Sequence, residues 1–151
     1  MDYTKYPVIY SNPENNISLH RPDIPGFIFM QLSGKLGLSD YKAAFMKATD
    51  ALEDTGSQTL LVEASTLNQT DPEGRAWLMK KHLPETMKRL GRLNMGMVAP
   101  RNMFQKLTLN LAIKTLKALG KPVDVKVCDS MEDATKWLSK YVDVSKMVAG
   151  S

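Results

Sequence analysis

The hexapeptide Phe27-Ile28-Phe29-Met30-Gln31-Leu32 is the feature that most narrows the folds open to this chain. It is almost wholly apolar and bounded by turn residues. It is far too short for a membrane span, which needs about 18 residues. Such a run reads as a strand buried on both faces, and a strand of that kind needs layers of structure above and below it. Two further short apolar runs, Thr59–Val62 and Leu93–Ala99, repeat the pattern. Between the first two, Tyr41, Ala44, Phe45, Ala48, Ala51 and Leu52 recur at the three- and four-residue spacing of a helix face. Ser39 is the expected cap of this helix, which should run from about Asp40 to Asp54 and stop at Gly56.

The remaining segments follow the same grammar. Tyr6–Ser11 and Ile17–Arg21 read as strands joined by the turn Asn12-Pro13-Glu14-Asn15-Asn16. Ser33-Gly34 should end the central strand. A helix is expected from Asp71-Pro72-Glu73, with Asp71 as cap, Pro72 at the first position and Pro84 kinking or splitting it. Asn102 to about Leu119 should form another helix, with Phe104, Leu107, Leu111, Leu116 and Leu119 facing in. Val123, Val125 and Val127 alternate with polar residues as in an edge strand, and Ser130-Met131-Glu132-Asp133 is a capping box before a last helix carrying Ala134, Trp137, Leu138 and Tyr141. The predicted order β-β-β-α-β-α-β-α-β-α implies an α/β domain: a mixed β-sheet with helices packed against it.

At 151 residues, with 43% hydrophobic and 24% charged, the chain has material for one domain with a real core. The domain is expected over residues 1–142, with 143–151 a frayed tail or short packing extension. A single cysteine, Cys128, excludes an internal disulfide and fits a reducing compartment. No basic region followed by a long apolar run is present at the start, so a soluble, cytoplasmic protein is expected.

Charge is unevenly spread. Residues 1–70 hold five basic and eight acidic side chains, residues 71–151 fifteen and eight. The net +4 therefore belongs to the second part. Six Lys/Arg against one Glu fall in Arg75–Arg92, a pattern that reads foremost as a solvated helix face. No aromatics interleave with these cations to stack bases, which argues against nucleic-acid binding.

Catalytic patterns are missing. His20 and His82 lie in different elements, no His/Cys/Asp/Glu group has metal-ligand spacing, and no nucleophile elbow or dinucleotide fingerprint occurs. Gly34-Lys35-Leu36-Gly37 lacks the rest of a phosphate loop. Cys128 reads as inert, His82 as a solvated surface residue, and Met46, Met95 and Met97 as core filler. No catalytic, metal or cofactor-binding residue is assigned.

One segment is more specific. The apolar strand Leu60-Leu61-Val62 ends in Glu63, and eight positions on comes Asp71, followed by Pro72, Glu73 and Gly74 at a helix start. With the order of elements over roughly 17–142, this resembles the STAS family, the SpoIIAA-like fold of anti-sigma-factor antagonists. In that family the Asp is followed by a phosphorylated Ser, a second Ser and a Gly. Here Pro72 holds the phosphoacceptor position and Glu73 the second Ser position. The resemblance implies a non-enzymatic regulatory module that binds a protein partner, with Thr70, Asp71, Glu73, Arg75 and Trp77 as the candidate contact residues. Proline has no hydroxyl, so a serine-phosphorylation switch at this point is not expected, whereas Asp71 and Glu73 carry permanent negative charge. An acidic partner would meet the basic second part. Homodimerisation through an edge strand, and binding of a small molecule or lipid by the same fold, are the other expectations.

Overall fold

Period-two burial along the third strand organises the structure. The computed structural model describes residues 2–98 and 123–147, together with Lys114, Ala118 and Gly120. In β3 (Phe27–Leu36), Ile28, Met30 and Leu32 enter one core while Phe27 and Phe29 enter another on the opposite face. Successive side chains of a strand point to opposite faces, so an unbroken apolar run must be covered twice.

β1 (Val8–Ser11) and β2 (Ile17–His20) lead into β3 as an antiparallel meander, with Tyr10 opposite Leu19 and Ile17 opposite Leu32. Asn12 closes the first turn as predicted: its Oδ1 accepts from the N–H groups of Asn16 (3.0 Å) and Ile17 (2.9 Å). The chain then turns to parallel pairing. β4 (Thr59–Thr70) lies beside β3, β5 (Leu93–Val98) beside β4, and β6 (Val123–Cys128) beside β5. The strands thus form one mixed sheet in sequential order, the α/β arrangement expected from the sequence.

Helix α1 (Leu38–Thr55) buries Tyr41, Ala44, Phe45, Ala48 and Leu52 on the first face of the sheet. α2 (Pro72–Trp77), a π-helical turn (Leu78–His82) and α3 (Leu83–Leu90) complete that layer with Leu78, Leu83 and Met87. α4 (Met131–Leu138) covers the second face with Ala134, Trp137 and Leu138. Its Ser130 cap accepts from the Asp133 N–H at 3.1 Å, as the capping box predicts. Tyr3 is wedged into the same core. Its ring stacks on Phe29 at 5.2 Å, and its hydroxyl meets Thr135 Oγ1 at 2.8 Å. Met147 is buried there too.

Several expectations need correction. α1 is entered through Gly37 rather than Ser39, with the Gly37 carbonyl accepting from Tyr41 N–H and no side-chain cap. β3 does not stop at Ser33-Gly34 but runs to Leu36, and β4 extends to Thr70 instead of ending at Val62. Each supplies the other's backbone partners, with register shifts between Gln31 and Ser33 and between Gly34 and Lys35. Gly34 has φ +66°, a conformation open to glycine, so a residue read as a strand stop instead accommodates irregular pairing. Met46 is exposed on α1, whereas Met95 and Met97 are core residues as expected. The expected helix from Asn102 lies outside the described residues, except that Lys114 and Ala118 are helical. No helix among the described residues is long and apolar enough to cross a membrane.

The second core depends on a close approach. A Cβ placed on Gly96 of β5 would lie 2.6 Å from Cε3 of the buried Trp137 ring. Gly96→Ala should therefore push the indole off the sheet and destabilise the protein by about 1–3 kcal/mol, the usual cost of overpacking. The check is the midpoint of urea unfolding, with Gly91→Ala, at a glycine with open space around it, reporting the cost of a positive φ (+78°) alone.

Candidate functional site

Parallel strands place their C-terminal ends along one edge, where chain segments leave the sheet and present polar groups. Among the described residues Glu63 is the last of β4 paired with β5, opposite Val98, while the pairing of β4 with β3 continues to Thr70 opposite Leu36. The Glu63 carboxylate turns back to accept from the Ser65 N–H at 2.7 Å.

Asp71 starts α2 as the sequence predicts. Its Oδ1 accepts from Glu73 N–H at 2.8 Å, and its carbonyl accepts from Gly74 and Arg75 N–H. Pro72 fills the first helical position and Glu73 the first turn, where the positive helix end favours acidic groups. Gly74 is buried against α1: a Cβ on it would lie 2.9 Å from Tyr41 Cδ1. That contact brings α2 onto the first turn of α1. Tyr41 is buried, and loss of solvent pushes its phenol far above its ordinary range, with the positive Arg75 acting in the opposite sense.

The five candidate residues lie at the end of β4 and along α2. The Thr70 backbone ends the β3–β4 pair. Asp71 is half-buried, Glu73 is exposed, and Arg75 and Trp77 are half-buried. Trp77 stacks on His82, with ring centroids 4.6 Å apart and planes at 18°, and Lys42 Nζ of α1 lies over the indole at 5.7 Å.

The placement of His82 overturns its reading as a solvated residue. It is 6% exposed, and its Nε2 lies 2.9 Å from Thr49 Oγ1, 3.1 Å from the Phe45 carbonyl and 3.3 Å from Thr86 Oγ1. The reason is the π-helical turn, whose extra residue re-phases the helix and swings His82 inward while Lys80 and Lys81 stay exposed. Pro84, two residues on, lacks an N–H and crowds the preceding turn, so the predicted break is realised as this widened turn. Burial holds the His82 imidazole below its ordinary value. Thr49, Thr86 and Lys42 were not singled out by sequence. Their roles arise between elements, and no local spacing signals them.

Arg89 joins α3 to α1 through Asp50 (3.1 Å) and Glu53 (2.8 Å). These exposed pairs contribute little, since water screens them. Among the described residues, no three His, Cys, Asp or Glu side chains gather as a metal-ligand set. Cys128 is buried, which raises its thiol above the ordinary range and disfavours the thiolate.

Comparison with solved structures gives the fold its relatives. The chain is similar to an uncharacterised protein of the DUF3478 family from Shewanella loihica PV-4, described as having a SpoIIAA-like fold. That match has 18% identity and a TM-score of 0.50, and covers 81% of this chain and 91% of the other. It is also similar to the anti-sigma factor antagonist SpoIIAA in its unphosphorylated form. Here the identity is 16% and the TM-score 0.54, with coverage of 84% of this chain and 99% of that one. The chain therefore has a SpoIIAA-like, STAS-type fold, as the spacing from Glu63 to Gly74 and the element order implied. No protein-family model matches the sequence, and no curated protein is similar to it at a significant level.

The Asp71 cap has a measurable worth. Asp71→Ala leaves the Glu73 N–H without its acceptor and should cost about 1 kcal/mol. Asp71→Asn keeps the acceptor and should cost less than half of that. Thermal unfolding of the two variants beside the unmodified chain distinguishes them.

Proposed function

We propose that this chain is a non-enzymatic regulatory module that binds another protein through the ridge Thr70–Trp77 and the basic segment following it. The observation that carries the reading is the projecting helix start. The Asp71 cap and the Gly74–Tyr41 contact fix the start of α2, on which Glu73 is exposed and Arg75 and Trp77 are half-buried. Trp and Arg are residue types that anchor protein interfaces, and Trp77 and Arg75 are both half-buried. The SpoIIAA-like fold supports the reading, since one protein of that fold is an anti-sigma factor antagonist.

The charge of the ridge is constant. The position that the family resemblance equates with a phosphorylated serine is Pro72, which offers no hydroxyl. Asp71 and Glu73 place carboxylates at the same helix start whatever the state of the cell. Serine phosphorylation at that point is not the switch. Lys80, Lys81, Lys88 and Arg92 are exposed, so the partner fitted to this side carries carboxylates.

Affinity capture with the full chain, followed by calorimetric titration of the captured protein, tests the proposal. Arg75→Glu and Lys81→Glu should each weaken binding tenfold or more, about 1.4 kcal/mol, without altering the circular dichroism of the free chain. Failure to recover a partner, or a partner indifferent to both reversals, overturns it.

A further inference from the structure

Lys42, Met46, Thr49 and Glu53 follow one another along α1 at the three- and four-residue spacing that makes neighbours on one flank of a helix. Three of them meet the segment that runs from α2 to α3. Lys42 Nζ lies 5.7 Å over the Trp77 ring, Thr49 Oγ1 lies 2.9 Å from His82 Nε2, and Glu53 Oε1 accepts from Arg89 at 2.8 Å. The row therefore borders the seam between α1 and the α2–α3 segment. Met46 stands within it on the solvent side and is not covered. It is 51% exposed, and among the described residues the other exposed large apolar side chains are Val8 and Ile9, both on β1. Half-buried Trp77 lies at the Lys42 end of the same seam.

Charge along the seam is uneven. At its far end Arg89 is paired with both Asp50 and Glu53. At the Trp77 end, Lys80 and Lys81 of the π-helical turn are exposed and make no ion pair among the described residues, and Lys42 engages an aromatic face rather than a carboxylate. Exposed Glu73 and Glu85 offset only part of this positive charge.

We propose that the seam is the docking site for an acidic amphipathic helix of a protein partner, whose apolar row rests on Met46 and Trp77 and whose carboxylates meet Lys42, Lys80 and Lys81. This rests on the protein-binding reading above and adds the chemistry of the occupant and the part played by α1.

The occupant follows from what the seam has to offer. Backbone groups in the middle of α1 and α3 are bonded within their own helices, so an extended segment would find no ladder to join. A helix satisfies its own backbone and asks only for side-chain contacts. The flexible thioether of Met46 can adapt to the apolar row laid on it. Carboxylates on the flanks of that row match the unpaired ammonium groups. An anionic lipid surface fits less well, because Trp77 is stacked on His82 and overlain by Lys42 rather than free to enter a lipid layer.

The test uses the full chain, labelled with carbon-13 in the methionine methyl groups and with 5-fluorotryptophan. Met46→Gln and Trp77→Phe assign the two reporting resonances. The probe is a synthetic amphipathic helix of Glu and Leu. Its counterpart with Lys in place of Glu, polyglutamate, and vesicles of phosphatidylcholine with phosphatidylserine serve for comparison. The Glu/Leu peptide should shift the Met46 methyl and Trp77 fluorine resonances saturably and leave Trp137 in place, with an affinity tenfold or more above that for the Lys/Leu peptide or polyglutamate. Met46→Gln, at an exposed position, should weaken it severalfold. No saturable shift, equal response to the Lys/Leu peptide, a response to vesicles in place of the peptide, or binding indifferent to Met46→Gln would each overturn the assignment. A captured partner that is weakened by Arg75→Glu but indifferent to Met46→Gln would overturn this docking mode alone and leave the protein-binding reading standing.

Discussion

Burial of β3 on both faces is the constraint from which the other elements take their positions. Phe27 and Phe29 need one layer, and Ile28, Met30 and Leu32 need another. Each large side chain removed from water contributes about 1.5–3 kcal/mol, so leaving either face open would forfeit several such increments. α1, the π-helical turn and α3 supply the first layer. α4 and the N-terminal turn around Tyr3 supply the second. The seating of Trp137 over Gly96 is part of the same requirement, because an indole can lie flat on a sheet only where a side chain is missing.

Pairing between β3 and β4 then does more than hold the sheet. β4 keeps its pairing with β3 as far as Thr70, and that length sets where α2 begins. The helix start is consequently a product of sheet register, helix capping and one close contact between α2 and α1. The ridge that results has fixed charge and little freedom. Behind Trp77, in the π-helical turn, a buried imidazole takes the place of an ordinary core side chain. A polar network in that position is costly if incompletely satisfied.

Much of this was legible in the sequence, and for identifiable reasons. Apolar periodicity located the strands and α1, because the side chains that must leave water repeat with the geometry of the backbone carrying them. Asn12, Gly56, Asp71 and Ser130 were recognisable as turn or cap residues because their hydrogen bonds close within a few positions of themselves. The misreadings share the opposite property. Ser33-Gly34 resembles a strand end until β4 is there to pair with it. Met46 fits an apolar stripe by type but lies on the far side of the helix. His82 sits among lysines in the chain, yet one inserted residue in the helical ladder turns it toward Thr49, more than thirty positions away.

The sequence by itself determined the alternation of strands and helices, the two-sided burial of the central strand and the capped start of α2. These rest on interactions between near neighbours and on the period of the chain. The long pairing of β4 with β3, the contact of Gly74 with Tyr41, and the enclosure of His82 between α1 and Trp77 were decided only by the tertiary structure. Each depends on the register or phase of one element against another, and a shift of one residue in either would cancel it.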